Sequence, residues 1–282
     1  MLYCAKAYAK TNLFLDVLCK REDGYHEIDT VMQSVSLYDE VKLKLTDGGV
    51  AVFCDRDELS GADNIAAKAC EKFLALAGLD VGVEVHIIKN IPVAAGMGGG
   101  SADAAAVLLL LNSATGNALS PDELHSIASE LGADVPFFLS GGCARAQGIG
   151  ERLTPVDNVK LYFVFVKEGR KQSTGQMYAT LDSTEVLRNG KIDILLSALS
   201  CGDVSRLCSN VYNAFEYCWD MDTLLEPFDS FKPSVCFLSG SGPTVAAIFK
   251  TKDEAFFCAE ALRSRGVNAF FAESVDVGVE LV

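Results

Sequence analysis

Pro92-Val93-Ala94-Ala95-Gly96-Met97-Gly98-Gly99-Gly100-Ser101-Ala102-Asp103 is the stretch on which the reading of this chain turns. Gly96, Gly98, Gly99 and Gly100 crowd together just before Ala104–Leu111, a run rich in helix formers. Glycine reaches backbone conformations closed to other residues and lets other groups approach closely. The unpaired N–H groups of a helix N-terminus favour phosphate oxygens, and Ser101 adds a hydroxyl donor. The run lacks the GxxxxGK[ST] pattern, which excludes a Walker-type loop. It is not a GxGxxG fingerprint with an acidic residue about 20 positions on, which argues against a Rossmann site. Anion binding and a plain glycine hinge remain as readings.

Outward from the loop, the chain is a mixture of strands and helices. Val83, Val85 and Ile87 alternate in a strand ending at Lys89-Asn90-Ile91-Pro92. Residues 2–19 alternate, with Leu13, Leu15 and Val17 on one side, and Arg21-Glu22-Asp23-Gly24 reads as a turn. Val31–Leu37 and Val41–Leu45 read as two strands joined by Tyr38-Asp39-Glu40, with another at Val50–Cys54. Asp63–Leu76 reads as a helix with Asp63 as N-cap. Ser120-Pro121-Asp122-Glu123 is a capping box with proline in the first turn, opening a helix to about Leu131. Val135–Leu139, Cys143–Gln147 and Leu161–Val166 read as strands. Weakly bounded helices fill Gly175–Glu226. Val235–Leu238, Val245–Phe249, a helix over Asp253–Arg263 and a strand near Val267–Phe271 close the chain. Glycines, a proline and mixed charges at Gly148–Asp157 mark a domain break. The class is α+β, with mixed antiparallel sheets and helices.

Composition limits the functions available. The chain has 282 residues and a formal charge of −14, from 24 Lys+Arg against 38 Asp+Glu. Its sequence pI is about 4.6. Such a surface repels nucleic-acid backbones and anionic membranes. No apolar run approaches the ~20 residues needed to span a bilayer, and Met1–Lys10 has no signal-peptide core. Ten cysteines are scattered without a CxxC, mostly among apolar neighbours, as expected of small buried hydrophobes. Three histidines, His26, His86 and His125, show no metal-ligand spacing.

Four further constellations bear on chemistry. Lys6, Lys10 and Asn12 share a strand parity and one face. They are either functional or edge-strand lysines that deter aggregation. Asp134, in Leu131-Gly132-Ala133-Asp134-Val135-Pro136, is a turn or cap carboxylate unless it meets Lys10. Facing Lys10, it makes a pair suited to hold and polarise a hydroxyl. Ser239-Gly240-Ser241-Gly242-Pro243-Thr244 is a hairpin loop or a backbone cradle for a ligand. Tyr25-His26, after the Asp23-Gly24 turn, is either surface decoration or a stacking and hydrogen-bonding pair for a base.

These pieces occur in the order seen in the GHMP small-molecule kinases, and the chain resembles that family over essentially its whole length. The glycine loop and Ser239–Thr244 mark the family. Lys10 with Asn12, Gly24-Tyr25-His26 and Gly132-Ala133-Asp134-Val135-Pro136 point to members acting on a cytidine-linked methylerythritol in isoprenoid-precursor synthesis. The resemblance implies two domains, residues 1–155 like the second domain of ribosomal protein S5 and 156–282 ferredoxin-like, with the active site between them. It implies phosphorylation of the substrate 2-hydroxyl by ATP with Mg2+, and Lys10 and Asp134 as the catalytic pair. It assigns Asn64, Lys89 and the run Pro92, Val93, Ala94, Ala95, Gly96, Met97, Gly98, Gly99, Gly100, Ser101 and Ala102 to ATP. It assigns Asn12, Tyr25, His26, Tyr178, Gly240, Ser241 and Gly242 to the substrate, with Tyr178 closing on the base. Met97 stands where leucine is usual, a volume-conserving change, and Gly98 and Ala102 stand where alanine and serine are frequent.

The resemblance further implies a cytoplasmic monomer or weak homodimer with a small-molecule substrate and no nucleic-acid or membrane partner. Ser101 is one candidate ligand for the metal. A kinase for homoserine, mevalonate or a sugar, or a silent nucleotide-binding regulator, are the competing readings. Both proposed ligands are anions, so the acidic surface requires a locally positive cleft. Lys6, Lys10, Lys89, the helix N-terminus and bound magnesium are expected to supply it.

Overall fold

A computed structural model describes residues 1–169, 173–186 and 190–282. Its frame is a long hairpin of β1 (Leu2–Lys20) and β2 (His26–Thr46). The Arg21–Gly24 turn sits between them as expected. β3 (Val50–Cys54) follows, then α1 (Ile65–Ala77), β4 (Gly82–Ile88), α2 (Gly99–Ala114), α3 (Pro121–Leu131) and α4 (Val135–Ser140). β5 (Cys143–Gly148), β6 (Arg152–Pro155) and β7 (Tyr162–Lys167) lead to α5 (Thr174–Asp182), α6 (Ile192–Cys201) and α7 (Val204–Cys208). The chain ends with β8 (Tyr212–Asn213), α8 (Met221–Leu225), β9 (Val235–Leu238), β10 (Thr244–Phe249), α9 (Lys252–Ser264), β11 (Ala269–Glu273) and β12 (Val279–Leu281).

Among the described residues the strands form two sheets. The first has the order β12-β1-β2-β4-β3, with β5 on β2, β6 on β5 and β8 on β1. One half of β2 pairs with β5 and the other with β4, which is why a 21-residue strand is needed. The second sheet has the order β11-β7-β10-β9. Its β7 shows period-2 patterning directly. Phe163 and Phe165 face the core shared with β1, β2 and α6, whereas Val164 and Val166 face α9. The helix α2, which follows the glycine loop, is buried along nearly its whole length under the first sheet, which fixes where its N-terminus opens.

The structure corrects four readings of the sequence. Tyr38-Asp39-Glu40 does not separate two strands; β2 runs through it, because the fully buried Asp39 carboxylate is bonded by the chain beyond β4. Val135–Leu139 is helix, not strand: a short apolar run does not distinguish the two, and Pro136 fits a first helical turn. Asn64, not Asp63, caps α1, its side chain accepting from Ala66 N–H at 2.8 Å. The helix after the glycine loop starts at Gly99 rather than Ala104, so the loop contributes its own first turn.

Candidate active site

A cavity of about 950 Å³ opens where the two glycine-rich loops meet. Its lining contains Lys10, Asn12, Tyr25, His26, Asn64, Lys89, the whole run Pro92–Ser101, Asp134, Tyr178, Gly240 and Ser241. Two expected residues are not in the lining. Ala102 is fully buried in the core beneath α2, because it lies one position past the exposed start of the helix. Gly242 packs on Trp219: a Cβ there would come within 2.9 Å of the indole, so its glycine serves the loop's fold.

The loops interlock by backbone. A Cβ on Gly96 would lie 2.3 Å from Ser239 O, and one on Gly240 would lie 2.7 Å from Gly96 O. Both are at positive φ, 75° and 56°, so glycine is required twice over. Ser239 Oγ accepts from Thr11 Oγ1 at 3.1 Å, tying the second loop to β1. Lys10 N–H donates to Met97 O at 3.0 Å, tying the first loop to the same strand. Ala102 N–H makes the first bond of α2, to Gly98 O at 2.9 Å. The N–H groups of Gly99, Gly100 and Ser101 therefore precede the helical ladder, at the positive end of a 16-residue helix.

Beneath the loop, Lys89 is enclosed by two carboxylates. Its Nζ bonds Asp39 Oδ2 and lies 2.6 Å from Asp103 Oδ2. Asp39 Oδ1 accepts the N–H groups of Asn90 and Ile91 at 2.6 and 2.8 Å. Burial lowers the affinity of the Lys89 ammonium for its proton, but Asp103 and Asp39 outweigh it and hold the group above the usual lysine range. Burial, with the Asp39 charge beside it, pushes the Asp103 carboxyl up to about 8. Asp103 Oδ1 is buried and has no hydrogen-bond partner among the described residues.

Lys10 and Asp134 come together from opposite sides. Lys10 lies mid-strand in β1 and Asp134 just before α4, and Nζ is 3.5 Å from Oδ2. Only 6% of the Lys10 side chain is exposed, against 35% for Asp134, so the carboxylate presents to the cavity and the ammonium backs it. Lys10 Nζ also donates to Asn12 Oδ1 at 2.8 Å, as their shared strand parity requires. Asn12 Nδ2 donates to Thr30 Oγ1, which fixes the amide's orientation.

At the far end, Tyr25 is exposed at the rim while His26 is buried. Tyr178 stacks directly on the His26 ring at 4.5 Å. Burial pushes its phenol up to about 12, and Asp134 acts in the same direction. His26 Nε2 lies 2.7 Å from Asp182 Oδ1.

The expected basic cleft is corrected. Lys6 points elsewhere, pairing with Glu280 of β12 at 3.0 Å. Lys89 is neutralised within its buried cluster. The cavity is lined by Lys10, Lys20 and Lys89 but also by Glu58, Asp63, Asp103, Asp134 and Asp182. Acidic side chains outnumber lysines in it, so the groups that favour an anion here are the backbone N–H groups at the start of α2. Sequence reasoning missed Asp39, Asp103 and Asp182. Asp103 stood within the quoted loop and Asp182 falls four residues after Tyr178, so both carried a positional signal. Asp39 carried none, because it falls in the three residues that link two alternating runs.

Comparison with known proteins places these pieces in a family. The GHMP kinases N terminal domain matches residues 64–142, and the GHMP kinases C terminal domain matches residues 195–268. A Clostridium beijerinckii protein named 4-diphosphocytidyl-2-C-methyl-D-erythritol kinase is 35% identical over 277 residues, covering 96% of this chain and 99% of that one. A Geobacter metallireducens protein of the same name is 40% identical over 265 residues, covering 91% and 92%. A crystal structure of 4-(cytidine 5'-diphospho)-2C-methyl-D-erythritol kinase superposes with a TM-score of 0.80 at 31% identity, covering 96% of this chain and 98% of that one. Homoserine kinase from Cytophaga hutchinsonii superposes with a TM-score of 0.77 at 17% identity, a likeness of fold.

Proposed function

Since the chain belongs to the GHMP kinases, and within them to the 4-diphosphocytidyl-2-C-methyl-D-erythritol kinases, we propose that it transfers the γ-phosphoryl group of ATP to the 2-hydroxyl of that cytidine-linked alcohol. The observation that carries the reading is the Lys10–Asp134 pair set between the two glycine loops. Asp134 orients the hydroxyl and accepts its proton as the oxygen attacks phosphorus. Lys10 holds Asp134 in position and balances charge on the transferring group. The loop Pro92–Ser101 and the start of α2 hold the ATP phosphates through N–H groups, with Asn64 toward the nucleotide. Lys89 supports this site from below. Asn12, Tyr25, His26 and Tyr178 form the substrate end, and Gly240 and Ser241 close it from the second loop.

The charge census supports a role for Mg2+. ATP is a polyanion, and acidic side chains outnumber lysines in the lining. Hard oxygen donors are present in the lining, the Ser101 hydroxyl and the Asp134 carboxylate. They fit the ion, which when bound neutralises phosphate charge. The division into an N-terminal ATP-binding domain (1–155) and a C-terminal domain (156–282) is part of the same proposal. β8 and β12 nevertheless return to the first sheet, so the second part is woven into the first. No helix among the described residues is long and apolar enough to cross a membrane. The ten free thiols support a reducing compartment such as the cytoplasm, with the chain a monomer or weak homodimer.

Incubation with Mg-ATP and the cytidine-linked methylerythritol should release ADP in step with substrate. No ADP release would sink the reading. Turnover of homoserine or mevalonate without competition from cytidine nucleotides would replace it.

A further inference from the structure

One helix grips the His26 ring on its face and on its edge. Tyr178 and Asp182 are four residues apart on α5 and so project from the same side. Tyr178 stacks on the imidazole with 20° between the planes, and Asp182 Oδ1 meets Nε2 at 2.7 Å. Lys20 lies directly opposite His26 in the β1–β2 pairing, and its Nζ takes the other carboxylate oxygen at 2.9 Å. The Lys20 and His26 hydrogen bonds hold the Asp182 carboxyl below its usual range, so it is a carboxylate here. A carboxylate only accepts, so the proton between the two residues sits on Nε2. In the neutral ring the lone pair is then on Nδ1, which has no hydrogen-bond partner among the described residues. His26 lines the cavity.

We propose that Asp182 is a specificity-setting positioning residue: by fixing the Nε2–H tautomer of His26 it makes Nδ1 an acceptor that fits the amino group of cytosine and rejects the carbonyl of uracil. The proposal rests on the reading of His26 as part of the base site. A base with an amino donor pairs with Nδ1. A base with a carbonyl at that position sets acceptor against acceptor and leaves both unpaired in a desolvated site, which is costly. Lys20 acts one step further out, keeping Asp182 charged and in place.

Asp182→Asn tests the assignment, because an amide of the same shape offers an N–H to Nε2 and drives the ring proton to Nδ1. The expected result is a roughly 10- to 100-fold loss of kcat/KM for the cytidine-linked substrate, carried by KM. The preference for that substrate over its uridine-linked counterpart should fall by a similar factor, with kcat little changed. Asp182→Ala, which imposes neither tautomer, should fall between. The 15N spectrum of the ligand-free protein gives a second readout, tractable because the chain has three histidines. It should show His26 protonated at Nε2 and unprotonated at Nδ1. An unchanged cytidine-to-uridine ratio in Asp182→Asn, or a protonated Nδ1 in the native protein, overturns the proposal. If His26→Ala itself leaves KM unchanged, the base-site reading fails first, and the two failures are distinguished by that variant alone.

Discussion

Two buried lysines sit within the same cavity wall and are partnered in opposite ways. Lys89 is locked between Asp39 and Asp103, both buried, and Asp39 is further bonded to two backbone N–H groups. Lys10 meets one carboxylate at the longer distance of 3.5 Å, and that carboxylate is one-third exposed to the cavity. Its other partner is the neutral Asn12. A charge fully satisfied by its neighbours has nothing left for a ligand, and it contributes by holding elements together. A charge with a loose, open partner remains available to a reacting group. On the proposed function, Lys89 therefore belongs to the architecture of the glycine loop and Lys10 to the chemistry, although the sequence presents both simply as lysines in or just after alternating strands.

The largest expected effect breaks the Lys10 side. Asp134→Ala should lower kcat by about 10³-fold, roughly 4 kcal/mol of transition-state stabilisation, with little change in KM for either substrate. Its melting temperature should fall only modestly, since Lys10 loses a loose, part-exposed carboxylate but keeps Asn12 Oδ1 as a partner. Steady-state kinetics beside a thermal melt checks both. A loss confined to KM would contradict the assigned role. Lys89→Met should do the reverse, destabilising the fold by about 3–5 kcal/mol because Asp39 is left as an unpaired buried charge. A denaturant titration measures it, and an unchanged midpoint would show that the cluster does not carry the loop.

Much of this division was legible in the sequence, and the part that was not has a physical reason. The glycine loop, the capping box at Ser120 and the continuous apolar run of β7 are local signals, and all three are where they were expected. The pairing of Lys10 with Asp134 was conditional on a contact across 124 positions, and strand parity alone gave only its direction. Asp39 was invisible because buried carboxylates violate the pattern that marks strands: a Tyr-Asp-Glu run reads as a break between strands unless its partner is known. Val135–Leu139 failed for the opposite reason, since five apolar residues satisfy either a strand or a buried helix. The basic cleft failed because lysines were counted without their partners.

A smaller effect sharpens the comparison through pH. With its carboxyl raised to about 8, Asp103 holds a proton in the folded state that the unfolded chain gives up near pH 4. The folded state thus binds more protons between these values, and this contribution to stability is present at low pH and is lost as pH rises toward about 8. Asp103→Asn keeps the hydrogen-bonding shape without the titration. Its melting temperature should fall less between pH 5 and pH 8 than that of the parent, as read from melts at a series of pH values. Parallel curves for the two proteins would mean that Asp103 is ionised throughout.

The smallest effect is expected at a third lysine, and its smallness is informative. Lys6 shares the strand with Lys10 and was expected in the cleft for that reason. In the fold it bonds Glu280 of β12 and stands over the Tyr38 ring at 5.5 Å, outside the cavity. A register shift in the β1–β2 pairing falls between Tyr8 and Ala9, separating Lys6 from the run that carries Lys10 and Asn12. Exposed pairs of this kind contribute little and are screened by salt. Lys6→Ala should leave kcat and the KM for ATP within about twofold of the parent at any ionic strength, since a charge more than a Debye length away, or already paired, adds little field at the loop. A KM for ATP that rises several-fold in Lys6→Ala, and rises further at low salt, would return Lys6 to the site and show that the whole lysine face of β1 attracts the nucleotide.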